Sequence, residues 1–427
     1  MEPATHLDTL ADARRTLETL AAAGPDWLAE RRGEAWQAHA SLPLPDRAQH
    51  RWRYTDPAKL LPGERALLPA PVFEEALGAG ETVGADVATT GGLIALSEEA
   101  RRAGVVLGSL AELAVRRPET IRALLGRIVP ASETPFTALN AALWNEGLYL
   151  EIPPGLHVPH FVHLVRRFPA SGLALPRLLV LLREGAQATI VDESLGENGD
   201  SGDLLVHRTI EIALERGASL RWIGVQDLPA GTTGASVLRA HLEAEAALVT
   251  QLASFGGALV KADVAAEMEG RGAHSEVQGL VFGVGRQAFD LHTIQRHDGP
   301  DTTSNLSVRV ALRGRSRSAF TGMLSIAHDA VRSQAYQENR NLLLSKTANA
   351  VSIPELEILT DEVQASHGAT VGPIDEEQLH YLQTRGLRRT EAESMIVAGF
   401  FEPLLAKIPD EILREQLRQR IEARLEH

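Results

Sequence analysis

The sequence of 427 residues contains no cysteine. Disulfides, thiolate metal ligands and a cysteine nucleophile are therefore excluded as contributions of this chain. Lysine is scarce as well, occurring only at Lys59, Lys261, Lys346 and Lys407, and none of these follows a glycine. The Gly-Lys pair of a phosphate-binding loop is missing, so ATP binding by that route is not expected. Aromatic residues make up 4% of the chain while hydrophobic residues reach 44%, so a core has to be built from Leu, Val, Ile and Ala. The net charge of −14 argues against a nucleic-acid partner, because a phosphate backbone calls for clustered Lys and Arg on one face. No apolar run approaches the ~20 residues that cross a bilayer, so no membrane partner is expected. The opening residues, MEPATHLDTLADARR, are polar and lack the apolar stretch of a signal peptide. These features point to a cytoplasmic protein, although a cysteine-free chain fits either redox compartment. Gly283 and Gly285 are not followed by the third glycine of a dinucleotide fingerprint, and there is no GxSxG elbow.

What is present divides the chain into three parts, consistent with about 150 residues per domain. Residues 1–135 carry helical periodicity: Leu7, Leu10, Ala11, Ala13, Leu17 and Leu20 recur at helical spacing before Gly24-Pro25 stops the helix. SLAELAVRRPETIRALLGRI predicts a second helix broken at Pro118, whose ring removes a hydrogen-bond donor. Between them, Arg51-Trp52-Arg53-Tyr54-Thr55-Asp56 interrupts the pattern and reads as a packing segment. Residues 136–372 change character. Apolar runs such as RLLVLL, LRWIGVQDL and NLSVRVAL alternate with turns at Gly185, Gly217, Gly272 and Gly314. Recurrent strand-and-turn units are the mark of a solenoid, and the fold class expected is mainly β, a central right-handed parallel β-helix flanked by helical regions. Turn spacing alone leaves a sandwich open. Residues 373–427 return to helix: IDEEQLHYLQTRG, stopped at Arg385-Gly386, then RTEAESMIVAGFFEPLL, with Thr390 and Glu393 at capping-box spacing and Met395, Ile396, Phe400, Phe401 and Leu404 on one apolar face, then a charged last helix.

Several blocks in fixed order carry a family resemblance. Asp290, His297, Pro300 and Ser304 form one spaced pattern. Phe320, Gly322, Gln334, Gln337, Asn339 and Leu342 form a second, and Ser366-His367-Gly368-Ala369-Thr370 a third, followed by the C-terminal helices. From about Asn140 onward the chain resembles the SufB/SufD family of iron–sulfur cluster scaffolds, nearest its SufD branch. The resemblance implies a non-catalytic scaffold subunit that pairs with a SufB-like subunit at the edge of the β-helix. It also implies docking of a SufC-like ATPase on the C-terminal helices, at Tyr381, Leu382, Arg385, Gly386, Met395 and Phe400. His367 is then the cluster-assembly and metal residue, an imidazole facing thiolates of the other subunit, as ligand or proton donor. An iron–sulfur cluster, transient and shared with SufB, is the implied cargo, and reduced flavin is a candidate cofactor of the complex. Many family members carry cysteine just before the matching serine; here Ala365 stands instead, so no thiol on this side takes part.

The plainer readings stand beside these. His367 next to Gly368 also fits a turn histidine closing the last coil, and each helical residue also fits simple burial against the solenoid. His157, His160 and His163 are three apart but surround Pro159 in a β-type run, so they read as non-metal, as do His292 and His297. A β-helix enzyme or carbohydrate-binding protein is the alternative from another class, against which the scarcity of aromatics counts. A structural homodimer through an exposed edge is the third.

Overall fold

The computed structural model describes residues 13–70, 73–76, 92–196 and 202–425. Leu7, Leu10 and Ala11 of the first expected helix lie outside the described residues; Leu17 and Leu20 follow in the helix Ala13–Ala22 and pack against the N-terminal cluster. Pro25 then opens the helix Asp26–Ser41. The predicted break at Pro118 separates Leu110–Arg116 from Pro118–Leu124, with Pro118 at the first position of the second helix, where its missing N–H costs nothing.

From Gly147 to Pro373 the chain winds as a parallel β-solenoid of about eight coils, not a sandwich. Each coil contributes one strand to each of two sheets. Register partners sit 26 to 32 residues apart, as in Thr233 with Leu259 and Ser219 with Gln187. The expected glycine turns take left-handed backbone, with φ of +67° at Gly185, +66° at Gly217, +70° at Gly272 and +74° at Gly314. Along Thr303–Leu312, Leu306, Val308, Val310 and Leu312 point into the space between the sheets, the main core of the molecule. Aliphatic side chains fill it, as the few aromatics require.

Both outer faces are partly covered as well. Leu28, Leu110, Ile121 and Trp144 pack on Tyr149, Leu179 and Leu181 of one sheet. This explains why Arg177–Leu182, RLLVLL, is buried on both sides, whereas later strands alternate. The helices Arg389–Leu405 and Glu411–Leu425 lay Val397, Phe401, Leu404, Leu417 and Ile421 on Ile223, Phe255 and Phe282 of the other. Two details differ from the sequence pattern. The helix begins two residues earlier: Arg388 is the N-cap, and its backbone N–H and guanidinium both donate to Glu391, in place of Thr390 and Glu393, and Glu393 instead pairs with Arg389. Met395 is 56% exposed, since the buried stripe runs through Ala392, Val397 and Phe401 on the opposite side. Trp52 is buried against Phe136, with the Lys261 ammonium 4.9 Å from its ring, so the Arg51–Asp56 segment does pack on the solenoid. No helix among the described residues is long and apolar enough to cross a membrane.

Candidate functional site at the open end of the solenoid

The last coil is formed by Asn349–Ile358 and Gln364–Pro373. Each is the terminal strand of its sheet, bonded only to the preceding coil, so each presents an unpaired row of backbone groups. The two edges differ in chemistry. NAVSIPELEI contains Pro354, which cannot donate to a neighbouring strand, and the acids Glu355 and Glu357; its end exposes Leu356 and Ile358. QASHGATVGP holds no Asp, Glu, Lys or Arg and no proline before its last residue. Charge and proline blunt the first edge, while the second is free to add a strand.

His367 lies midway along that second edge and is exposed. It is in register with Gln337 of the coil beneath, and Gln337 is a fully buried, inward-facing residue. By strand alternation His367 therefore projects over the mouth of the solenoid. Along Gln334–Leu343 the wall below the mouth is polar where Thr303–Leu312, one coil earlier, is aliphatic, while Thr293, Gln295 and His297 already bring polar groups inward on the opposite wall. Gln337, Asn339 and Asn341 occupy successive inward positions on Gln334–Leu343, in place of Leu306, Val308 and Val310 one coil earlier. Gln337 donates to the carbonyl of Gly322 at 3.1 Å, and Asn341 donates to the Thr370 carbonyl on the edge strand at 3.0 Å. Gln337 Oε1 and Asn341 Oδ1 find no donor. Gln337 and Asn339 were visible in the sequence only as motif members, and the inward direction of all three amides follows from the register. The mouth thus offers one imidazole and several amide groups, and no thiolate. Any iron–sulfur cargo handled here has to take its sulfur ligands from another chain.

The edge strand leads through Pro373 into the helix Glu376–Thr384, capped by Asp375, whose carboxylate accepts from the N–H groups of Glu377 and Gln378. On it Tyr381 is 56% exposed; the Arg385 guanidinium stacks over its ring at 5.0 Å and donates to its hydroxyl at 3.2 Å. Gly386, with φ of +94°, ends the helix. Leu382 packs with Ile374, Leu379 and Ala392, and Phe400 lies half-buried, edge-on to Phe401 with Arg309 over its ring. The six helical residues therefore divide: Tyr381, Arg385 and Met395 face solvent, Leu382 and Phe400 serve packing, and Gly386 shapes the chain.

The other histidines singled out by the sequence divide between buried pairs and open surface. His163 is buried against Glu193 at 2.8 Å, which, against the cost of burial, helps hold that carboxyl below its usual range; His157 and His160 are exposed. His297 is buried with one ring nitrogen on Thr302 and the other on Ser304, and burial pulls its pKa down to about 4. One group with metal-ligand composition lies elsewhere on the surface. His241, Glu267 and Glu269 each bring a ligand atom within 4.8 Å of the others; the nearby Arg296 guanidinium, its pKa raised first by Asp298 and then by Glu267 and Glu269, already offsets part of that negative charge.

Residues 167–400 match the family model "SUF system FeS cluster assembly, SufBD core domain", and residues 94–164 match the SufBD protein N-terminal region. The chain is 25% identical over 413 residues to the iron-sulfur cluster assembly protein SufD of Bacillus subtilis, covering 94% of each. It is 30% identical over 248 residues to SufD of Escherichia coli, covering 57% of each. Against a SufBD family protein of Mycobacterium tuberculosis the identity is 31% over 267 residues, 60% of this chain and 66% of the relative. The core model spans more than half of the sequence and covers most of the solenoid, the helix Glu376–Thr384 and most of Arg389–Leu405; this chain belongs to the SufBD family of the SUF iron–sulfur cluster assembly system.

Proposed function

We propose that the chain is a SufD-type, non-catalytic subunit that pairs with a SufB-like subunit through the edge Gln364–Pro373 and presents His367 to a cluster built on the partner's thiolates. The observation that carries this reading is an uncharged, unpaired strand edge bearing an exposed imidazole over a polar mouth. Strand addition at such an edge gives affinity through main-chain hydrogen bonds, and alternate side chains give specificity. The cluster is cargo shared across that junction. On the same reading a SufC-like ATPase docks at Tyr381, Leu382, Arg385, Gly386, Met395 and Phe400. The Tyr381–Arg385 stack and Met395 form its contact surface, while Leu382, Gly386 and Phe400 hold that surface in place. The helices carrying it are packed along the solenoid face, so movement imposed on them by ATP turnover reaches the mouth as a rigid-body displacement. Reduced flavin belongs to this reading only as a cofactor of the whole complex, and the cytoplasm as its place of work.

Coexpression with SufB-like and SufC-like proteins, followed by copurification and iron and sulfide analysis, tests the reading. Copurification of all three with iron and sulfide is the expected result, and recovery of the lone chain refutes it. The same edge is self-complementary, so a symmetric dimer of this chain in the absence of partners is the competing outcome, seen as a doubled mass. The variant His367→Ala is expected to leave the fold and the copurification intact while abolishing cluster assembly. Undiminished iron and sulfide in that complex removes His367 from the site.

A further inference from the structure

A roomy cavity lies away from the mouth, among the N-terminal helices. It measures about 550 Å³ and sits between Asp26–Ser41, the segment after Pro118–Leu124, and Trp144. That volume is in the range of sites for small organic ligands. Its apolar wall includes Leu28, Ala35 and Trp144, and its rim carries Arg31, Arg122 and Arg127.

The charge around it is one-sided in a protein of net charge −14. Arg122 and Arg127 are exposed and meet no carboxylate among the described residues. Arg31 donates only to carbonyls, those of Leu125 at 2.7 Å and Arg122 at 2.8 Å. Behind the wall Arg32 stacks on Trp144 at 4.1 Å, donates only to the carbonyls of Ala142 and Trp144, and has a buried Nε with no acceptor. Burial, and then the neighbouring Arg177, pull its pKa down to about 9, and no carboxylate offsets them. Arg177 lines the cavity too, but is neutralised by Glu211 at 2.5 Å. Four guanidiniums, Arg31, Arg122, Arg127 and Arg177, thus line the cavity against one lining carboxylate, Glu34, with Glu211 behind Arg177. Burial and then Arg122 lower the pKa of Arg31 on the cavity wall, and an anion among these guanidiniums would relieve that repulsion. The walls are fixed in advance. Glu211 accepts from the N–H groups of Gly126, Ile128 and Val129, and Arg31 ties the helix to the same segment, so little ordering would accompany binding.

We propose that this cavity binds a small organic phosphate, its phosphoryl oxygens on the guanidiniums of Arg122 and Arg127 at the rim and its apolar part against Leu28, Ala35 and Trp144. Guanidinium forks match phosphate oxygens in geometry and charge, which favours a phosphate over a monocarboxylate. The proposal does not depend on which partners the chain takes.

Calorimetric titration of the full-length chain at low salt, with pyrophosphate, AMP and adenosine as probes, tests it. Saturable one-to-one binding of AMP or pyrophosphate, with adenosine at least about tenfold weaker, is the expected result. The double variant Arg122→Ala/Arg127→Ala, whose side chains make no ion pair in the fold, is expected to bind about a hundredfold more weakly with an unchanged thermal transition, while the distant Arg385→Ala binds as wild type. Absence of saturable binding of both anions in the millimolar range, binding equal to that of adenosine, or binding that the double variant leaves intact overturns it.

Discussion

Replacing Glu211 by Gln tests the joint between the N-terminal region and the solenoid. Glu211 is completely buried and receives the guanidinium of Arg177 at 2.5 Å together with three backbone N–H groups, from Gly126 at 3.1 Å, Ile128 at 3.2 Å and Val129 at 3.1 Å. Glutamine keeps the shape but leaves the buried Arg177 charge unpaired and offers one acceptor oxygen where there were two. Removing one partner of a buried pair costs about 3–5 kcal/mol, and each orphaned N–H adds about 1–3 kcal/mol. Even the lower figure, felt locally, lowers amide protection at residues 126–129 about a hundredfold. Hydrogen exchange read by mass spectrometry on peptides spanning that segment is the assay, with urea unfolding alongside. The double variant Glu211→Leu/Arg177→Leu separates the two causes. It removes both charges but still orphans three N–H groups, so protection stays low although global stability recovers in part. Wild-type protection in Glu211→Gln, or full recovery in the double variant, refutes this account of the joint.

Three further outcomes follow from the geometry. Burial lowers the pKa of His297 to about 4 and that of His207 to about 3, so the unfolded chain binds more protons than the folded one below pH ~6.5. Stability falls as pH drops from ~6.5 toward ~4, by up to about 1.4 kcal/mol per pH unit for each histidine; urea midpoints of His297→Gln across this range should show a shallower slope, and an identical slope rules His297 out. Val371→Lys places a charge on the exposed edge strand, and the expected result is an unchanged melting curve with loss of SufB-like copurification, whereas retained pairing means another surface is used. Changing Tyr381 and Arg385 together to Ala removes an exposed stack and should weaken SufC-like copurification without loss of stability beyond about 0.5 kcal/mol; undiminished binding counts against docking there.

The solenoid was legible because its punctuation is local. Gly185, Gly217, Gly272 and Gly314 mark turns that need left-handed backbone, and the runs between them have strand composition. Helix stops at Pro118 and Gly386 are local for the same reason. The polar contacts were not legible, since their partners are one coil apart in sequence. Arg166 meets Asp192, Arg183 meets Glu215, Lys261 meets Asp290 and His163 meets Glu193. No rule of short spacing pairs residues about thirty apart, and only the register of the coils brings them together. Which of the apolar residues around Met395 are buried was not legible for a related reason. Its helix is apolar over more than half its circumference, and which stripe is buried depends on the sheet beneath it. His367 was singled out through its motif, and its position over the mouth rests on the register of the last two strands of its sheet.

The two ends of the solenoid are finished in opposite ways. At the first coil, Gly147–Ile152 and Val162–Phe168 are met by the antiparallel strands Val106–Ser109 and Gly92–Ala95, which satisfy the backbone edge from within the chain. At the last coil no strand among the described residues does this, and the chain departs through Pro373 to cover an outer face instead. A solenoid that merely had to end would need a cap, because an open aliphatic interior favours aggregation. Here the interior itself changes. The inward positions of the penultimate coil carry amides, and two of their oxygens, on Gln337 and Asn341, have no donor inside the chain. An unpaired buried acceptor costs about 1–3 kcal/mol, a cost that disappears when a donor arrives from outside. An imidazole in register above Gln337, beside an uncharged edge, adds a group that can donate or accept, and together with those amide oxygens it sets the polarity that an incoming strand has to match.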